Sequence, residues 1–227
     1  MRQVEVIKQP VKVGEKLTVQ SNYKFINKIG TPVSGRGLIV KRVFDLCVGL
    51  VGIVLSSPLI IIFAIAVKIT SAGPAFYRQE RVGLMGKNFK LIKLRSMYQD
   101  AEARTGAVWA RKNDARITPV GRFMRKTRID ELPQFLNVLK GDMSLVGPRP
   151  ERPILTEQFS QEFVDFPQRL RIIPGITGYA QINGGYDITP EEKCKLDNYY
   201  IEHYSLWFDI KLLIGTVKIV FTGEGAR

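Results

Sequence analysis

Residues 121–151 read GRFMRKTRIDELPQFLNVLKGDMSLVGPRPE, and this stretch is the most informative about the fold and the chemistry of the chain. Two adjacent carboxylates, Asp130 and Glu131, follow a run of basic residues, and Arg149 returns in a rigid Gly-Pro-Arg-Pro-Glu turn. Carboxylate oxygens are ligands for Mg²⁺, and guanidinium groups bind phosphoryl oxygens two at a time. Because the chain has a single His, catalysis by imidazole is a poor alternative explanation. The pattern of carboxylates and arginines favours phosphoryl transfer.

The same stretch predicts its own secondary structure. Thr118-Pro119 marks a helix start, with proline at the first helical position, and that helix is expected to end near residue 127. Asp130 then stands where an N-cap belongs, before a helix over residues 131–139 that Gly141 ends. Free backbone N–H groups at such a helix start attract phosphate. The alternative is that Asp130 is only a structural cap, which leaves the surrounding arginines unexplained.

Composition limits the class of protein. With 227 residues the chain supports one domain, with room for an appendage, and 45% hydrophobic residues are ample for a core. The formal net charge of +13 implies an anionic partner, such as nucleic acid, anionic lipid or a phosphorylated small molecule. Two cysteines make no disulfide framework, and one lies in an apolar run, which favours a reducing cytosolic setting.

The segment 46–67 contains 22 consecutive residues without a charge. A helix of about 20 residues spans a bilayer, so length alone predicts a transmembrane helix. Ser57 and Pro58, near its middle, favour a different path, because proline removes a backbone donor and clashes with the preceding turn. The positive charge is similar on both flanks, so neither end is marked as external. The residues leave two topologies open, a kinked spanning helix and a re-entrant hairpin with both ends in the cytosol.

The rest of the chain predicts an α/β fold that is mainly helical with a small β-hairpin. Strands are expected at residues 75–77 and 89–92, on either side of a turn that contains glycine, and Lys93 and Arg95 follow the second strand. Residues 205–221 are apolar with two lysines seven apart on one face. This segment is either an amphipathic helix on the membrane surface or a helix docked on the core.

Together these motifs resemble the bacterial sugar transferases, the monotopic phosphoglycosyl transferases that start surface-glycan synthesis on a polyprenol carrier. The resemblance covers about residue 41 to the C-terminus, and the combination is specific where no single motif is. The matching segments are KRVFD at 41–45, GP at 73–74 with RQERVG at 78–83, FKLIKLRSM at 89–97, DELPQ at 130–134 through Asn137, GDMSLVGPRPE at 141–151, PGITG at 174–178 and DNYY at 197–200.

The resemblance implies a reaction in which a sugar 1-phosphate passes from a UDP-sugar to a polyprenyl phosphate such as undecaprenyl phosphate. Asp130 would attack the β-phosphorus, release UMP and carry the phosphosugar until the lipid phosphate takes it. Asp130 and Glu131 would hold Mg²⁺, and four basic residues of the matched motifs and their surroundings would bind substrate phosphates. These are Lys93, Arg95, Arg125 and Arg149.

The resemblance also implies a topology. Residues 41–70 would enter one leaflet, break at Ser57 and Pro58 and return, so that the protein is monotopic on the cytoplasmic face of the bacterial cell membrane. Residues 1–40 would be an N-terminal extension, and residues 71–227 a cytosolic catalytic domain with interfacial helices. The expected partners are UDP-sugar, polyprenyl phosphate and inner-leaflet lipid, with no nucleic acid, and the family also allows a homodimer.

Two other functions fit the residues. A bitopic membrane protein with a Mg²⁺-dependent phosphatase or nuclease domain would share the acidic pair and the arginines, but it needs residues 46–67 to cross the bilayer completely. A membrane-anchored basic module that binds nucleic acid or anionic lipid would use the +13 charge. Such a module has no need for two carboxylates among its arginines.

Overall fold

A computed structural model describes residues 23–101, 114–184 and 188–222, with side chains described as far as residue 219. Within these ranges the chain is mostly helical, as expected, and its strands form two-stranded sheets. The helices are α1 (Arg36–Thr70), α2 (Pro119–Lys126), α3 (Phe135–Lys140), α4 (Pro153–Glu162), α5 (Tyr179–Asn183), α6 (Pro190–Glu202) and α7 (Leu206–Thr222). The strands are β1 (Phe76–Val82), β2 (Asn88–Leu94), β3 (Ser144–Val146) and β4 (Gly175–Thr177). Short 3₁₀ segments lie at Ile26–Lys28, Leu84–Gly86, Ile129–Gln134 and Phe166–Arg171.

β1 and β2 form the expected hairpin. The strands pair antiparallel, with Phe76 opposite Leu94, and they extend beyond their predicted apolar centres into the charged residues on either side. Their turn holds Met85 and Gly86 at φ values of 51° and 80°. This left-handed region is free of steric cost only for glycine. The hairpin therefore closes in the glycine-containing stretch where the sequence predicted its turn.

β3 and β4 form a short parallel pair that was not predicted. Ser144 lies opposite Gly175, and three-residue strands carry too little alternation to be detected in a sequence. A Cβ atom on Gly175 would overlap the backbone of Gly147, so this close approach requires glycine. The pair fixes the start of the loop at residues 147–151, which carries Arg149.

α1 runs without interruption through Pro58. Proline has no N–H to offer the carbonyl four residues earlier, which is that of Val54. The Ser57 hydroxyl donates to this carbonyl instead, at 2.8 Å. The structure thus has one continuous helix where helix, break and helix were expected, and the neighbouring serine satisfies the backbone group that the proline leaves open. The helix also begins at Arg36, ahead of the expected boundary at residue 41.

One side of α1 contacts the rest of the protein both before and after Pro58. Near the start of the helix, Lys41 pairs with Asp209 of α7 at 2.6 Å, and both side chains are almost fully buried. Beyond the proline, Ile60 and Val67 pack in an apolar cluster with residues of β2 and α2. The two halves of α1 therefore lie against the same globular body.

The other side of α1 exposes large apolar side chains along its whole length. They are Ile39, Val40, Val43, Leu46, Leu50, Val51, Val54, Leu55, Leu59, Ile61, Ile62, Ile65 and Ile69. Among the described residues, α1 is the helix that is long and apolar enough to cross a membrane. A continuous apolar surface of this extent is unfavourable in water, so the exposed face of α1 is suited to contact with lipid.

α7 combines the two expectations for the C-terminal segment. It is docked on the core, because Asp209 and Leu212 are buried. Its outer face exposes Trp207, Ile214 and Val217, which leaves an apolar surface on a helix that is held to the body by its other side.

The residues before α1 do not form a separate unit where the structure describes them. Residues 23–34 pack on the Phe166–Arg171 segment, and Val33 donates a backbone hydrogen bond to Arg171 at 2.9 Å. Phe25 is fully buried there. The described part of the expected 1–40 extension is thus part of the globular body, and residues 1–22 lie outside the described ranges.

Candidate active site

The acidic pair, Asp130 and Glu131, lies in the 3₁₀ turn Ile129–Gln134 between α2 and α3. The chain enters this turn through Arg128, whose backbone is left-handed with φ of 60°. The prediction that Asp130 caps an α-helix is wrong. Pro133 has no N–H to donate to the carbonyl of Ile129 four residues earlier, and α3 begins only at Phe135. Phosphate binding beside Asp130 stays a prediction.

Asn137 holds this region against the hairpin. Its side-chain oxygen accepts a hydrogen bond from the Ile92 N–H at 3.0 Å, and its amide donates to the Lys90 carbonyl at 2.8 Å. The side chain is fully buried and satisfies backbone groups on the edge of β2 that faces away from β1. Because α3 follows directly on the acidic pair, this contact places Asp130 beside Lys93. Sequence analysis had included Asn137 only as part of a motif, with no role of its own.

Asp130 is a buried carboxylate, 5% exposed. Burial raises the pKa of its carboxyl group, and the charge of Glu131 raises it further, to about 6. Lys93, Arg125 and Arg149 act on this pKa in the opposite direction. Since a group with a pKa of about 6 is mostly ionised at neutral pH, Asp130 is a charged carboxylate that is more basic than an ordinary aspartate.

The pKa of Glu131 is shifted in the opposite direction. Burial alone would raise the pKa of Glu131, but Arg149 and Arg128 outweigh burial and lower it to about 2. Arg149 donates a hydrogen bond to Oε1 of Glu131, and this ion pair raises the pKa of Arg149 in turn. Two carboxylates that are adjacent in the sequence are therefore chemically distinct. Glu131 is ion-paired and weakly basic, whereas Asp130 has no ion-pair partner among the described residues and is more basic.

Lys93 and Arg125 supply further positive charge to the site. Burial lowers the pKa of Lys93 to about 8, although the charge of Asp130 raises it. The Lys93 ammonium also lies 5.9 Å from the centre of the Tyr77 ring. Among the described residues, neither Lys93 nor Arg125 has a carboxylate within the 4 Å of an ion pair. Cations held near Asp130 but not neutralised by the protein are suited to bind a phosphate group.

Arg95 does not join this group. Its Nη2 donates to the backbone carbonyl and the hydroxyl of Ser71, both at 2.8 Å, just past the end of α1. A Cβ atom on Gly73 would overlap the guanidinium, and Gly73 has φ of 106°, a conformation that favours glycine. The guanidinium of Arg95 therefore lies at the end of the apolar helix, whereas Lys93, Arg125 and Arg149 lie around Asp130. Phosphate binding by these four residues stays a prediction.

The loop that carries Arg149 is held by two arginines that sequence analysis did not single out. Arg81 of β1 donates to the Pro150 carbonyl at 2.9 Å. Arg169 donates to the carbonyl of Arg149 itself, also at 2.9 Å. Both contacts join residues that are far apart in the chain, so no local sequence pattern predicts them.

Buried carboxylates hold those cations in turn. Glu151, at the end of the loop, pairs with Lys193 and with Arg81. Burial would raise the pKa of Glu151, but Lys193, Arg169 and Arg81 lower it to about 2. Asp197 of α6 pairs with Arg169, and both side chains are 2% exposed. Removing one partner of a buried ion pair is strongly destabilising, because it leaves a buried charge without compensation. These ion pairs therefore hold the loop in one position.

The acidic pair also meets the requirements of a magnesium ion that is bound together with a substrate. Within the described ranges, no group of three or more His, Cys, Asp or Glu side chains is placed to hold a metal. Mg²⁺ commonly takes one or two carboxylates and completes its shell with water and substrate phosphates. A divalent cation would relieve the repulsion from Glu131 that contributes to the raised pKa of Asp130. The residues thus fit a magnesium–diphosphate complex and not a site made of protein ligands alone.

Comparison with known proteins matches the chain to one family. The family model described as bacterial sugar transferase matches residues 36–223. A putative undecaprenyl-phosphate N-acetylgalactosaminyl 1-phosphate transferase of Bacillus subtilis is 52% identical over 158 residues, which cover 70% of this chain and 86% of the relative. A UDP-N-acetylgalactosamine-undecaprenyl-phosphate N-acetylgalactosaminephosphotransferase of Aeromonas hydrophila is 44% identical over 191 residues. A UDP-glucose:undecaprenyl-phosphate glucose-1-phosphate transferase of Escherichia coli is 42% identical over 201 residues.

These relatives differ in length. The matched residues cover 83% of this chain but 45% of the Aeromonas relative, and 86% of this chain but 43% of the Escherichia relative. The chain therefore spans less than half of two of the three, and most of the third. The region that the family model matches, residues 36–223, includes α1, the acidic pair and the loop that carries Arg149.

Proposed function

Because the chain belongs to the bacterial sugar transferase family, we propose that it transfers a sugar 1-phosphate from a UDP-sugar to undecaprenyl phosphate and releases UMP. The relatives are named as undecaprenyl-phosphate sugar phosphotransferases, which supports the general reaction. The proposal goes further and makes Asp130 the nucleophile that carries the phosphosugar.

The difference between the two carboxylates supports this choice. A nucleophile needs an available and basic electron pair, and nucleophilicity rises with basicity among groups of one kind. Glu131 is engaged by Arg149 and has a pKa of about 2, whereas Asp130 has a pKa of about 6. Asp130 is therefore both ionised at neutral pH and the stronger base of the pair.

Two displacements at phosphorus complete the reaction. In the first, a carboxylate oxygen of Asp130 forms a bond to the β-phosphorus, and the bond from that phosphorus to the bridging oxygen breaks, with its electron pair leaving on UMP. In the second, an oxygen of the lipid phosphate forms a bond to the same phosphorus, and the acyl phosphate bond to Asp130 breaks. The carboxylate is regenerated, and no proton needs to be supplied in either step.

The site contributes positive charge to both displacements. Charge spread over the phosphoryl oxygens is stabilised by fixed cations in a buried site, and Lys93 and Arg125 lie around Asp130 without carboxylate partners among the described residues. Asp130 and Glu131 would hold Mg²⁺, which when bound neutralises charge on the diphosphate. Arg149 keeps Glu131 ionised and in place beside the nucleophile.

The exposed apolar face of α1 supports a membrane position for this chemistry. Both halves of α1 contact the same globular body, which is the arrangement expected if both ends of the segment lie on one side of the bilayer. We propose that the protein is monotopic on the cytoplasmic face of the bacterial cell membrane, with α1 entering one leaflet. The active site then lies at the depth where the phosphate of a lipid acceptor meets water. A homodimer remains a prediction.

UMP release in the absence of acceptor tests this proposal. Purified protein with Mg²⁺ is mixed with UDP-glucose, UDP-galactose or UDP-N-acetylgalactosamine, and a burst of about one UMP per protein is expected with the correct donor. Asp130→Asn should abolish the burst, and Asp165→Asn, at an exposed aspartate, serves as the control. A mechanism in which UMP appears only when the lipid phosphate is present would contradict the two-step reaction.

A further inference from the structure

Residues 23–34 precede α1 and lie outside residues 36–223, the part of the chain that the family model matches. We propose that this segment, here called the N-terminal strap, is a positioning element for Arg149, and hence for the acidic pair. The inference rests on the proposed function, because Arg149 acts on the reaction through Glu131 and Asp130.

The strap is fastened by an apolar side chain. Phe25 is 1% exposed and packs with Val82 of β1 and Leu170 of the Phe166–Arg171 segment in a cluster of their own. The ring of Tyr23 stacks on Phe25 with centres 4.9 Å apart. Burying a phenylalanine side chain removes a large apolar surface from water, which favours the observed position of this short segment.

Hydrogen bonds fasten the same segment along its length. The side-chain amide of Gln168 donates to the Lys28 carbonyl at 2.7 Å and accepts from the Gly30 N–H at 3.3 Å. Farther along, Nε of Arg171 donates to the Thr31 carbonyl at 2.7 Å. These three contacts fall on the Phe166–Arg171 segment, and elsewhere Lys28 donates to the Ser160 carbonyl and the Tyr23 hydroxyl accepts from Asn88.

Val82 and Leu170, which pack against Phe25, are both linked to the loop that carries Arg149. The Val82 N–H donates to the Glu151 carbonyl at 2.9 Å, and Leu170 follows Arg169, which donates to the Arg149 carbonyl at 2.9 Å. Loosening the strap would therefore loosen this short loop at its centre, Arg149, and at its end, Glu151.

A small displacement of this loop matters for the reaction. Arg149 pairs with Glu131, next to the proposed nucleophile, and a misplacement of about 1 Å at a reacting site can cost roughly a hundredfold in rate. The contacts run without a gap from Phe25 to Val82 and Leu170, from these to the loop, and from Arg149 to Glu131. The strap is thus a positioning element that touches no substrate itself.

Two variants of the full chain test this role. Phe25→Ala removes the apolar contact, and Gln168→Ala removes two hydrogen bonds of the strap without altering the core. Asn27→Ala, at an exposed position in the same strap, is the matched control, and Phe25→Leu restores most of the buried volume. Hydrogen exchange is measured at the amides of Gly147, Arg149 and Glu151 and, for reference, at those of residues 120–126 in α2, together with the rate of UMP release and the KM for the donor.

We expect Phe25→Ala and Gln168→Ala to speed exchange at Gly147, Arg149 and Glu151 but not at residues 120–126, and to lower kcat about tenfold with little change in KM. Phe25→Leu and Asn27→Ala should resemble the unmodified protein. If both strap variants leave exchange at Gly147, Arg149 and Glu151 and kcat unchanged while only the unfolding temperature falls, the strap is merely structural and the inference is overturned. If the unmodified protein releases no UMP, the proposed function fails, and the exchange measurement still decides whether the strap positions the loop.

Discussion

Arg149 pairs with Glu131 and not with Asp130, although the two carboxylates are adjacent in the sequence. The pair gives Glu131 a pKa of about 2, whereas Asp130 has a pKa of about 6. One arginine therefore separates the roles of two similar groups. The more basic carboxylate is left to react, and the less basic one is fixed beside it.

The first prediction concerns that arginine. Arg149→Ala should raise the pKa of both carboxylates, because a cation that favours their ionised forms is lost, and it should leave Glu131 buried without its partner. UMP release at neutral pH is expected to fall roughly a hundredfold or more. Arg149→Lys should recover part of the rate, since a point charge remains but the second donor of the guanidinium is lost. Equal rates for Arg149→Ala and the unmodified protein would show that this charge has no part in the reaction.

The second prediction is a bell-shaped dependence of UMP release on pH. At low pH, kcat/KM should rise through about pH 6 as Asp130 loses its proton, and it should fall above about pH 8 as Lys93 loses its charge. Replacing Lys93 with Arg, which stays protonated, should remove the fall at high pH. A profile that is flat between about pH 5 and pH 9 would mean that neither group titrates in the rate-limiting step.

The third prediction concerns stability. The pKa of Asp130 in the folded protein, about 6, lies above the ordinary value of 3.8. The folded state therefore holds this proton more tightly than the unfolded chain does. The resulting stability is fully present below about pH 4 and is lost as the pH rises through about 6. Asn imitates the protonated form, so Asp130→Asn should stabilise the protein by about 2 kcal/mol at pH 7.5, and by much less near pH 4.

Thermal unfolding in detergent at the two pH values measures this difference. Asp165→Asn, at an exposed site, should show no gain at either pH. If Asp130→Asn destabilises the protein at pH 7.5, the carboxylate is better accommodated as an anion than its burial implies.

The fourth prediction is the topology of α1. In a background in which Cys47 is replaced by serine and the remaining Cys194 is buried, Arg36→Cys and Thr70→Cys each add one accessible thiol at an end of the helix. A monotopic protein should expose both to an impermeant maleimide on the cytoplasmic side of inverted vesicles, and neither on the outer side of intact spheroplasts. Labelling of the two positions from opposite sides would establish a spanning helix. Pro58→Ala is a useful companion, because it restores the backbone donor for the carbonyl that Ser57 now occupies.

Local rules predicted the elements that are built from neighbouring residues. Thr118 accepts a hydrogen bond from the Gly121 N–H at 2.9 Å and starts α2 as expected, and Gly141 ends α3 with φ of 89°. The family resemblance placed Lys93 and Arg149 together among the phosphate-binding residues, and both act on the pKa of Asp130 in the structure. Where one residue determines its own conformation or that of the next few, the sequence is sufficient.

The remaining features depend on contacts between distant parts of the chain. Asn137 and Arg169 act on backbone groups of Ile92 and Arg149, and neither has a neighbour in the sequence that reveals this. The N-cap expected at Asp130 failed because Pro133 delays the α-helix. The motif around Arg95 placed it among the predicted phosphate-binding residues. In the structure Arg95 follows the end of β2, and its guanidinium contacts Ser71 at the end of α1.

The most direct test of the central claim is to find the phosphosugar on the protein. The protein is incubated with Mg²⁺ and its UDP-sugar without lipid acceptor, quenched, digested and analysed by mass spectrometry. We predict a peptide that carries one sugar phosphate on Asp130, which disappears when undecaprenyl phosphate is added before the quench and is absent from Asp130→Asn. Transfer to the lipid at the normal rate by Asp130→Asn, with no modified peptide at any time, would contradict the account.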